Sequence, residues 1–100
     1  MPFGLSQTDI ALICTVLKQY NGIEKAIIFG SRAKNTHKKG SDIDIALKGH
    51  ISWEIVSAIK AKLEDNLPLP YFFDVVDYDA LSNPDLKAHI NRVGHIIYKK

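Results

Sequence analysis

The chain has 100 residues, of which 46% are hydrophobic and 24% charged, and its formal net charge is +2. These values fit one small globular domain, leave no room for a second, and lack the strongly basic footprint of a dedicated nucleic-acid binder. The single cysteine, Cys14, excludes an intrachain disulfide and is expected to be a buried, unreactive thiol. We see neither a signal peptide nor a membrane-spanning apolar run, so we expect a cytoplasmic protein.

The first part of the chain predicts a helix, a strand and a loop. A capping-box pattern at residues 6–9 begins the helix, apolar residues then recur at helical spacing, and Asn21-Gly22 ends it. Residues 26–29 are apolar and stop at a glycine, which predicts a buried strand. Residues 30–40 are polar and basic, so we expect a loop with at most one helical turn near its start.

The remaining elements alternate between strands and helices. The sequence predicts a strand at 43–47, a helix at 53–66, an aromatic and β-branched strand at 71–76, a last helix at 82–92 with its own capping box, and a short strand or packed tail at 95–98. This order predicts an α/β (α+β) fold, in which a small mixed sheet is flanked by helices. We expect a single domain that spans residues 1–100.

Two aspartates flank Ile43 at the start of the second predicted strand. Side chains two residues apart on a strand project from the same face, with Cα atoms about 6.5 Å apart, so Asp42 and Asp44 can converge on one cation or a close pair. Their oxygens suit Mg²⁺ or Mn²⁺, which would also relieve the repulsion between the two charges. A solvent-facing edge strand with two ordinary acidic residues is the alternative. A second such pair, Asp77 and Asp79, leaves a strand for a helix cap and is interpreted as turn and surface residues.

A third aspartate interrupts an apolar strand. Asp74 stands between Phe73 and Val75, in a segment that looks apolar on both faces, where a charge is unfavourable unless it is paired or bound to metal. If this strand lies beside the second one, a spacing of about 4.8 Å brings Asp74 to Asp42 and Asp44. Three carboxylates on adjacent strands predict a two-metal site. A buried salt bridge to a lysine is the alternative.

The predicted loop opens with Gly30-Ser31, directly after the first strand. Glycine allows a phosphate to approach the backbone closely, and Ser31 offers a hydroxyl and a backbone N–H. A plain strand-ending turn is the alternative for these two residues taken alone. Chance yields only about 0.002 Gly-Ser pairs with aspartates 12 and 14 residues after the glycine in a chain of this composition. The combination therefore favours a phosphate-binding loop.

Basic side chains crowd the same loop, at Arg32, Lys34, Lys38 and Lys39. They are interpreted either as groups that neutralise a triphosphate or as members of a solvated loop. The histidines of the chain lack the spacing of metal ligands and are interpreted as surface or packing residues; they are His37, His50, His89 and His95.

One arrangement resembles the nucleotidyltransferase superfamily that includes DNA polymerase beta, namely Gly30-Ser31 followed by Asp42-Ile43-Asp44, with Asp74 on a later strand. Residues 30–34 and 40–45 look like the small prokaryotic members, the minimal nucleotidyltransferases. Residues 73–77 look like the family's third-carboxylate strand and residues 94–98 like its usual ending, so the resemblance extends over nearly the whole chain. It implies a nucleotidyltransferase fold similar to the palm of polymerase beta.

The resemblance also implies roles for individual residues. The catalytic and metal-binding residues would be Asp42, Asp44 and Asp74, and the nucleotide-binding residues Gly30, Ser31 and Lys34, with Mg²⁺ or Mn²⁺ as cofactor. Members often carry arginine and glycine where this chain has Lys34 and Asn35. This departure concerns the geometry of the loop and leaves the metal site intact.

The activity implied by the resemblance is transfer of a nucleoside monophosphate, with AMP from ATP as the expected case, to an acceptor by a two-metal mechanism. Only residues 75–100 follow Asp74, so the acceptor surface is expected on another chain. Small members are typically encoded beside a helical HEPN-type protein, often a ribonuclease toxin. This implies an antitoxin in a hetero-oligomer with that partner. No membrane contact is expected, and the sequence carries no strong signal for direct nucleic-acid binding.

Two other functions stay open. The first is a catalytically silent, nucleotide-binding antitoxin that neutralises its partner by occlusion. The second is a metal-dependent nuclease or a nucleotide-sensing module, of which the nuclease is disfavoured by the Gly-Ser loop at its fixed distance from the carboxylates.

Overall fold

A computed structural model describes residues 2–100 and shows a four-stranded sheet with helices on both faces. The helices are α1 (Gln7–Leu17), α2 (Gly30–Ala33), α3 (Trp53–Ala61) and α4 (Pro84–Val93), and the strands are β1 (Ile23–Phe29), β2 (Ile43–Gly49), β3 (Phe73–Asp77) and β4 (His95–Lys99). This confirms the predicted α/β (α+β) class. No helix among the described residues has the length and apolar character that a membrane span requires.

The sheet is mixed and has the strand order β3-β2-β1-β4. β1 pairs antiparallel with both β2 and β4, whereas β2 and β3 are parallel. Parallel neighbours need a crossover connection, which α3 provides. In consequence the end of β1 and the beginnings of β2 and β3 lie at the same end of the sheet. The predicted Gly-Ser loop and the predicted carboxylates all lie at this end.

The two central strands are buried on both faces. A larger apolar cluster, which includes Ile13 of α1, Ile45 of β2 and Ile59 of α3, covers one face. A smaller cluster beneath α4 contains Ala46 and Ile90 and covers the other face. Ala46 is completely buried, so β2 is not a solvent-facing edge strand. That alternative for the aspartate pair is wrong, because β2 lies between β1 and β3.

Side-chain caps begin both long helices that the sequence marked. At α1, Ser6 accepts from the N–H of Asp9 at 3.0 Å while the Asp9 carboxylate accepts from the N–H of Ser6 at 3.1 Å, which confirms the capping box. The last helix begins at Pro84, two residues after the predicted start at residue 82, and the capping box predicted there does not form, since the N–H groups of Asp85 and Leu86 donate to Asn83. Its cap is Asn83, because Pro84 has no N–H and is suited to the first helical position.

The third strand differs from its prediction in extent and in burial. It begins at Phe73, and the neighbouring Phe72 is 71% exposed instead of lying within a buried strand. Phe73 and Val75 face the larger cluster, whereas Asp74 is exposed on the opposite face. The interpretation of this strand as apolar on both faces was therefore wrong. A buried salt bridge at Asp74 is excluded by its exposure, since β3 is an edge strand with one open face.

Cys14 is half-buried on α1, where its thiol donates a hydrogen bond to the backbone oxygen of Ile97 at 3.2 Å. Burial raises the pKa of the thiol, and the nearby Lys18 counteracts this only in part. A thiol with a raised pKa forms less of the reactive thiolate, as expected for an unreactive cysteine.

Candidate active site

The three aspartates singled out by the sequence lie side by side. Asp42 directly precedes β2, Asp44 is the second residue of β2, and Asp74 of β3 is the register partner of Asp44. Asp42 and Asp74 are exposed, and Asp44 is half-buried. The structure thus brings all three residues together at one end of the sheet, as predicted. Their catalytic and metal-binding roles stay predictions.

Burial and the two neighbouring carboxylates change the pKa of Asp44. Its pKa rises from 3.8 to about 6, chiefly because of burial and then because of the charges of Asp74 and Asp42. Arg32 opposes the rise but does not cancel it. A divalent cation would compensate this concentration of carboxylate oxygens, and oxygen is the ligand type that Mg²⁺ and Mn²⁺ prefer.

The carboxylates do not form a ready-made coordination shell. Across residues 2–100, no three side chains of histidine, cysteine, aspartate or glutamate surround one metal position. Mg²⁺ is usually held by one or two carboxylates together with waters and substrate phosphates, so a closed protein cage is not required. The donor set therefore fits a metal whose coordination is completed by a triphosphate.

Gly30 links the end of β1 to the carboxylates. Its φ of 75° lies in the left-handed region, which favours glycine. The register pairs Phe29 with Asp44, and a Cβ at Gly30 would collide with the Asp44 carboxylate. Two requirements therefore fix a glycine here, the backbone conformation and the close approach of Asp44. Ser31 follows at once, half-buried, in the single turn of α2.

His89 is a site residue that the sequence did not reveal. It comes from α4, and its Nε2 accepts a hydrogen bond from the backbone N–H of Gly30 at 3.2 Å. Its ring also meets Phe29 edge-on, with ring centroids 6.2 Å apart. The interpretation as a surface or packing residue was incomplete, because His89 anchors the Gly-Ser turn to α4. Since 59 residues separate the two partners along the chain, no local pattern could have shown the contact.

Arg32 is a structural residue of the loop. It is only 2% exposed, and its guanidinium donates two hydrogen bonds to the backbone oxygen of Ser41, at 3.0 and 2.8 Å, and one to that of Phe3 at 2.7 Å. The same group stacks over the ring of Tyr71, 4.6 Å from its centroid. Neither interpretation of the basic loop therefore describes Arg32, which is neither solvated nor free to bind a triphosphate.

The other basic residues of the loop are exposed, namely Lys34, Lys38 and Lys39. The nucleotide-binding role of Lys34 stays a prediction. Asn35 adopts φ of 56°, the left-handed conformation that a glycine would take at this position. Asparagine tolerates this region better than most residues, so the departure from the usual glycine leaves the loop geometry in place.

The second aspartate pair serves local structure, as predicted. The Asp77 carboxylate accepts from the N–H of Asp79 at 3.1 Å and caps the 3₁₀ turn Tyr78–Ala80. Asp79 accepts from the N–H of Gly49 at 3.3 Å. The Asp77 carboxylate thus caps the turn that follows β3, and the Asp79 carboxylate joins that turn to the end of β2.

Comparison with known proteins agrees with this geometry. The family described as Polymerase beta, Nucleotidyltransferase matches residues 11–100. The chain belongs to this nucleotidyltransferase family. A relative from Methanocaldococcus jannaschii, named as a candidate protein adenylyltransferase, is 34% identical over 70 residues, which is 70% of this chain and 74% of that protein.

Solved structures of this nucleotidyltransferase fold are similar over almost the whole chain. One is a toxin-antitoxin with AMP-PNP, at a TM-score of 0.75 and 20% identity, covering 96% of this chain and 75% of the other. Another is a complex of tri-AMPylated Shewanella oneidensis HEPN toxin with MNT antitoxin, at a TM-score of 0.74 and 19% identity, covering 96% and 74%. At such identities the likeness shows the fold alone.

Proposed function

We propose that this nucleotidyltransferase transfers AMP from ATP to a hydroxyl group of an acceptor protein, with Mg²⁺ or Mn²⁺ as cofactor. The observation that carries the proposal is the close approach of Asp44 to Gly30, whose φ is positive. Asp42 and Asp74 lie at the same end of the sheet. This arrangement offers a backbone that a phosphate can approach next to carboxylates that would hold a divalent ion.

Each residue of the candidate active site would have its own role. Asp42, Asp44 and Asp74 would hold the metal, which when bound supplies positive charge against the phosphates and lowers the pKa of a nearby hydroxyl. Ser31 offers its hydroxyl and its N–H to the triphosphate. Asp74 is exposed at the beginning of the edge strand, where it can accept the proton of an incoming hydroxyl.

The reaction balances without any further reactant. The acceptor oxygen bonds to the α-phosphorus of ATP, the bond from that phosphorus to the bridging oxygen breaks, and pyrophosphate leaves. The proton of the hydroxyl passes to Asp74 and then to solvent. His89 contributes by holding the Gly30 backbone in place, so that the turn presents Ser31 in a fixed position.

A HEPN-type helical protein is the acceptor that we propose, with the chain as its antitoxin in a cytoplasmic hetero-oligomer. Two findings support this choice. The Methanocaldococcus jannaschii relative is named for protein adenylylation, and one similar structure contains a tri-AMPylated HEPN toxin bound to an MNT antitoxin. A catalytically silent antitoxin that only occludes its partner remains the second candidate.

Titration calorimetry with ATP, with and without Mg²⁺, tests the nucleotide site first. We expect Mg²⁺-dependent binding that Asp42→Asn and Asp44→Asn abolish and that Ser31→Ala weakens by roughly 1–2 kcal/mol, the scale of a hydrogen bond to a charged group. Asp65→Asn is the matched control, because Asp65 is exposed and lies on the turn after α3. Undiminished binding in either site variant would refute the metal assignment.

Transfer is then measured with ATP labelled at its α-phosphate and the purified HEPN protein. Label on the HEPN protein with the wild-type chain, and none with Asp74→Asn, supports adenylylation. Mg²⁺-dependent ATP binding without any label, together with inhibition of the HEPN protein, supports occlusion instead. We expect the isolated chain to transfer AMP slowly to small hydroxyl compounds, because positioning of the acceptor contributes roughly 7–11 kcal/mol of barrier lowering.

A further inference from the structure

On the side of β3 that faces away from β2, the backbone groups of one residue are hydrogen-bonded and those of the next outward-facing residue are free. The N–H of Ile43 donates to the backbone oxygen of Phe72 at 3.0 Å, and the parallel register then directs the backbone groups of Phe73 and Val75 away from β2. At Phe73 both groups are engaged, because Lys60 donates to its oxygen and Glu64 accepts from its N–H, each at 2.7 Å.

Val75 has no such partner. Within residues 2–100, no side chain bonds its outward N–H or oxygen. Unpaired strand edges are templates for pairing with another chain, and proteins commonly cover or block them. Here the block formed by Lys60 and Glu64 ends at Phe73, so the edge beside Val75 stays available.

An apolar groove follows the open part of the edge. It encloses about 320 Å³ and is lined by Trp53 and Val56 from α3, by residues 75–77 of β3, and by Ala80 and Leu81 beyond it. Trp53 is 77% exposed, an unusual position for the largest apolar side chain of the protein. Free backbone groups flanked by apolar side chains on both faces of the sheet are what an added strand requires.

The charges around the groove select the kind of segment that fits. Asp77 lines it, Asp74 is exposed next to Val75, and Glu54 is exposed on the first turn of α3. The basic side chain at this edge, Lys60, is held at its closed end by the Phe73 oxygen. A second copy of β3 would bring another set of these carboxylates against the first, and like charges oppose that pairing. A segment that alternates apolar with basic side chains would meet opposite charges instead.

We propose that the open edge of β3 binds an extended segment of the acceptor protein as an added strand, with apolar side chains against Trp53 and Val56 and basic side chains toward the acidic rim. The identity of the occupant as the acceptor rests on the proposed function. A strand added beside Val75 lies about 4.8 Å from β3. A hydroxyl side chain on that strand therefore comes close to Asp74, the adjacent residue of β3.

The single tryptophan of the chain makes this testable by fluorescence. The probe is a blocked nonapeptide that alternates valine with lysine and threonine around one central tyrosine. We expect its binding to shift Trp53 emission to shorter wavelength, and we expect the same peptide with N-methylated backbone amides on its pairing edge to bind at least about 10-fold more weakly. Equal binding of the methylated peptide, or no shift with the unmethylated one at millimolar concentration, would overturn strand addition.

Alanine variants of two exposed apolar residues, one at each edge of the sheet, test where the peptide binds. The affinity of a dye-labelled copy of the peptide is measured by anisotropy for Trp53→Ala and for Ile96→Ala, which removes a 56% exposed side chain on β4 at the opposite edge of the sheet. We expect a loss of at least about 10-fold in the first variant and none in the second, with ATP affinity unchanged in both. Equal effects, or a concentration-dependent dimer that Trp53→Ala dissociates, would overturn the proposed occupant.

The two proposals fail in different ways. If the chain binds the peptide but transfers no labelled AMP to its tyrosine or to the HEPN protein, adenylylation fails and docking stands. If AMP is transferred to the HEPN protein equally well by the wild-type chain and by Trp53→Ala, adenylylation stands and docking of the acceptor at this edge is refuted.

Discussion

Replacing Asp44 by asparagine is expected to stabilise the fold at neutral and alkaline pH while abolishing metal-dependent ATP binding. The reason lies in the pKa of Asp44, which burial and the charges of Asp74 and Asp42 raise to about 6 from 3.8. Between these two values the folded state binds more protons than the unfolded state does. The free energy of unfolding therefore falls as pH rises through this window, and the loss is complete above about pH 6–7.

The size of the effect follows from the shift. About two pKa units correspond to about 3 kcal/mol, at 1.36 kcal/mol per unit. Because Asp44 is only half-buried, solvent screening reduces this, and we expect Asp44→Asn to gain about 1–2 kcal/mol at pH 8. At pH 4 the gain should be small, since the folded wild-type carboxyl is then protonated. For a domain of this length, each 1 kcal/mol corresponds to about 4–8 °C in Tm.

Urea unfolding at pH 4 and pH 8, without divalent ions, measures the difference. Asp65→Asn serves as control, because Asp65 is exposed in the helical turn Lys62–Asn66 and does not contribute to the raised pKa of Asp44. Addition of Mg²⁺ and ATP at pH 8 should then stabilise the wild-type chain and leave Asp44→Asn unchanged, since a ligand stabilises only the state that binds it. The reasoning is refuted if Asp44→Asn has no advantage at pH 8, or the same advantage at both pH values.

Three further substitutions address the backbone that supports the site. Gly30→Ala is expected to destabilise the fold by about 1–3 kcal/mol and to abolish ATP binding, because its Cβ would collide with Asp44. Gly40 is the control, since its φ of 81° is comparable but a Cβ there would have no neighbour within 4 Å, so calorimetry should show that Gly40→Ala binds ATP normally. Arg32→Lys should lower the free energy of unfolding by about 2–3 kcal/mol in urea titrations, since an ammonium cannot replace the guanidinium fork, and an unchanged midpoint would contradict this. His89→Ala should leave stability within about 1 kcal/mol and weaken ATP binding, and equal affinity would show that the Gly30 turn needs no anchor.

The carboxylate cluster could be predicted because Asp42 and Asp44 are only two residues apart in the sequence and lie in a segment that is predicted to be a strand. Asp42 and Asp44 share one face whenever residues 43–47 form a strand, and the burial of Ile43 and Ile45 on the opposite face confirms that alternation. Gly30 was predicted for phosphate approach. The structure adds its positive φ and its contact with Asp44, which depend on the pairing of β1 with β2.

Other features depended on contacts that are distant in sequence. Arg32 looked like one more basic loop residue, since its partners Ser41, Phe3 and Tyr71 come together only in the folded chain. The exposure of Asp74 was missed for a related reason. The composition of a short apolar strand does not tell whether both of its faces are covered, and only the strand order shows that β3 lies at the edge.

The geometry of the active site is therefore set by the core beneath it. The register that places Asp44 beside Phe29 also pairs Ile45 with Ile28, and both isoleucines are completely buried in the larger cluster. A slip of one residue would turn them to the other face and move the carboxylates away from Gly30. The apolar residues of β2 thus hold the register against the repulsion among the aspartates, which raises the pKa of Asp44. Unfavourable electrostatics can persist here because the packing that opposes it lies on the opposite face of the same strand.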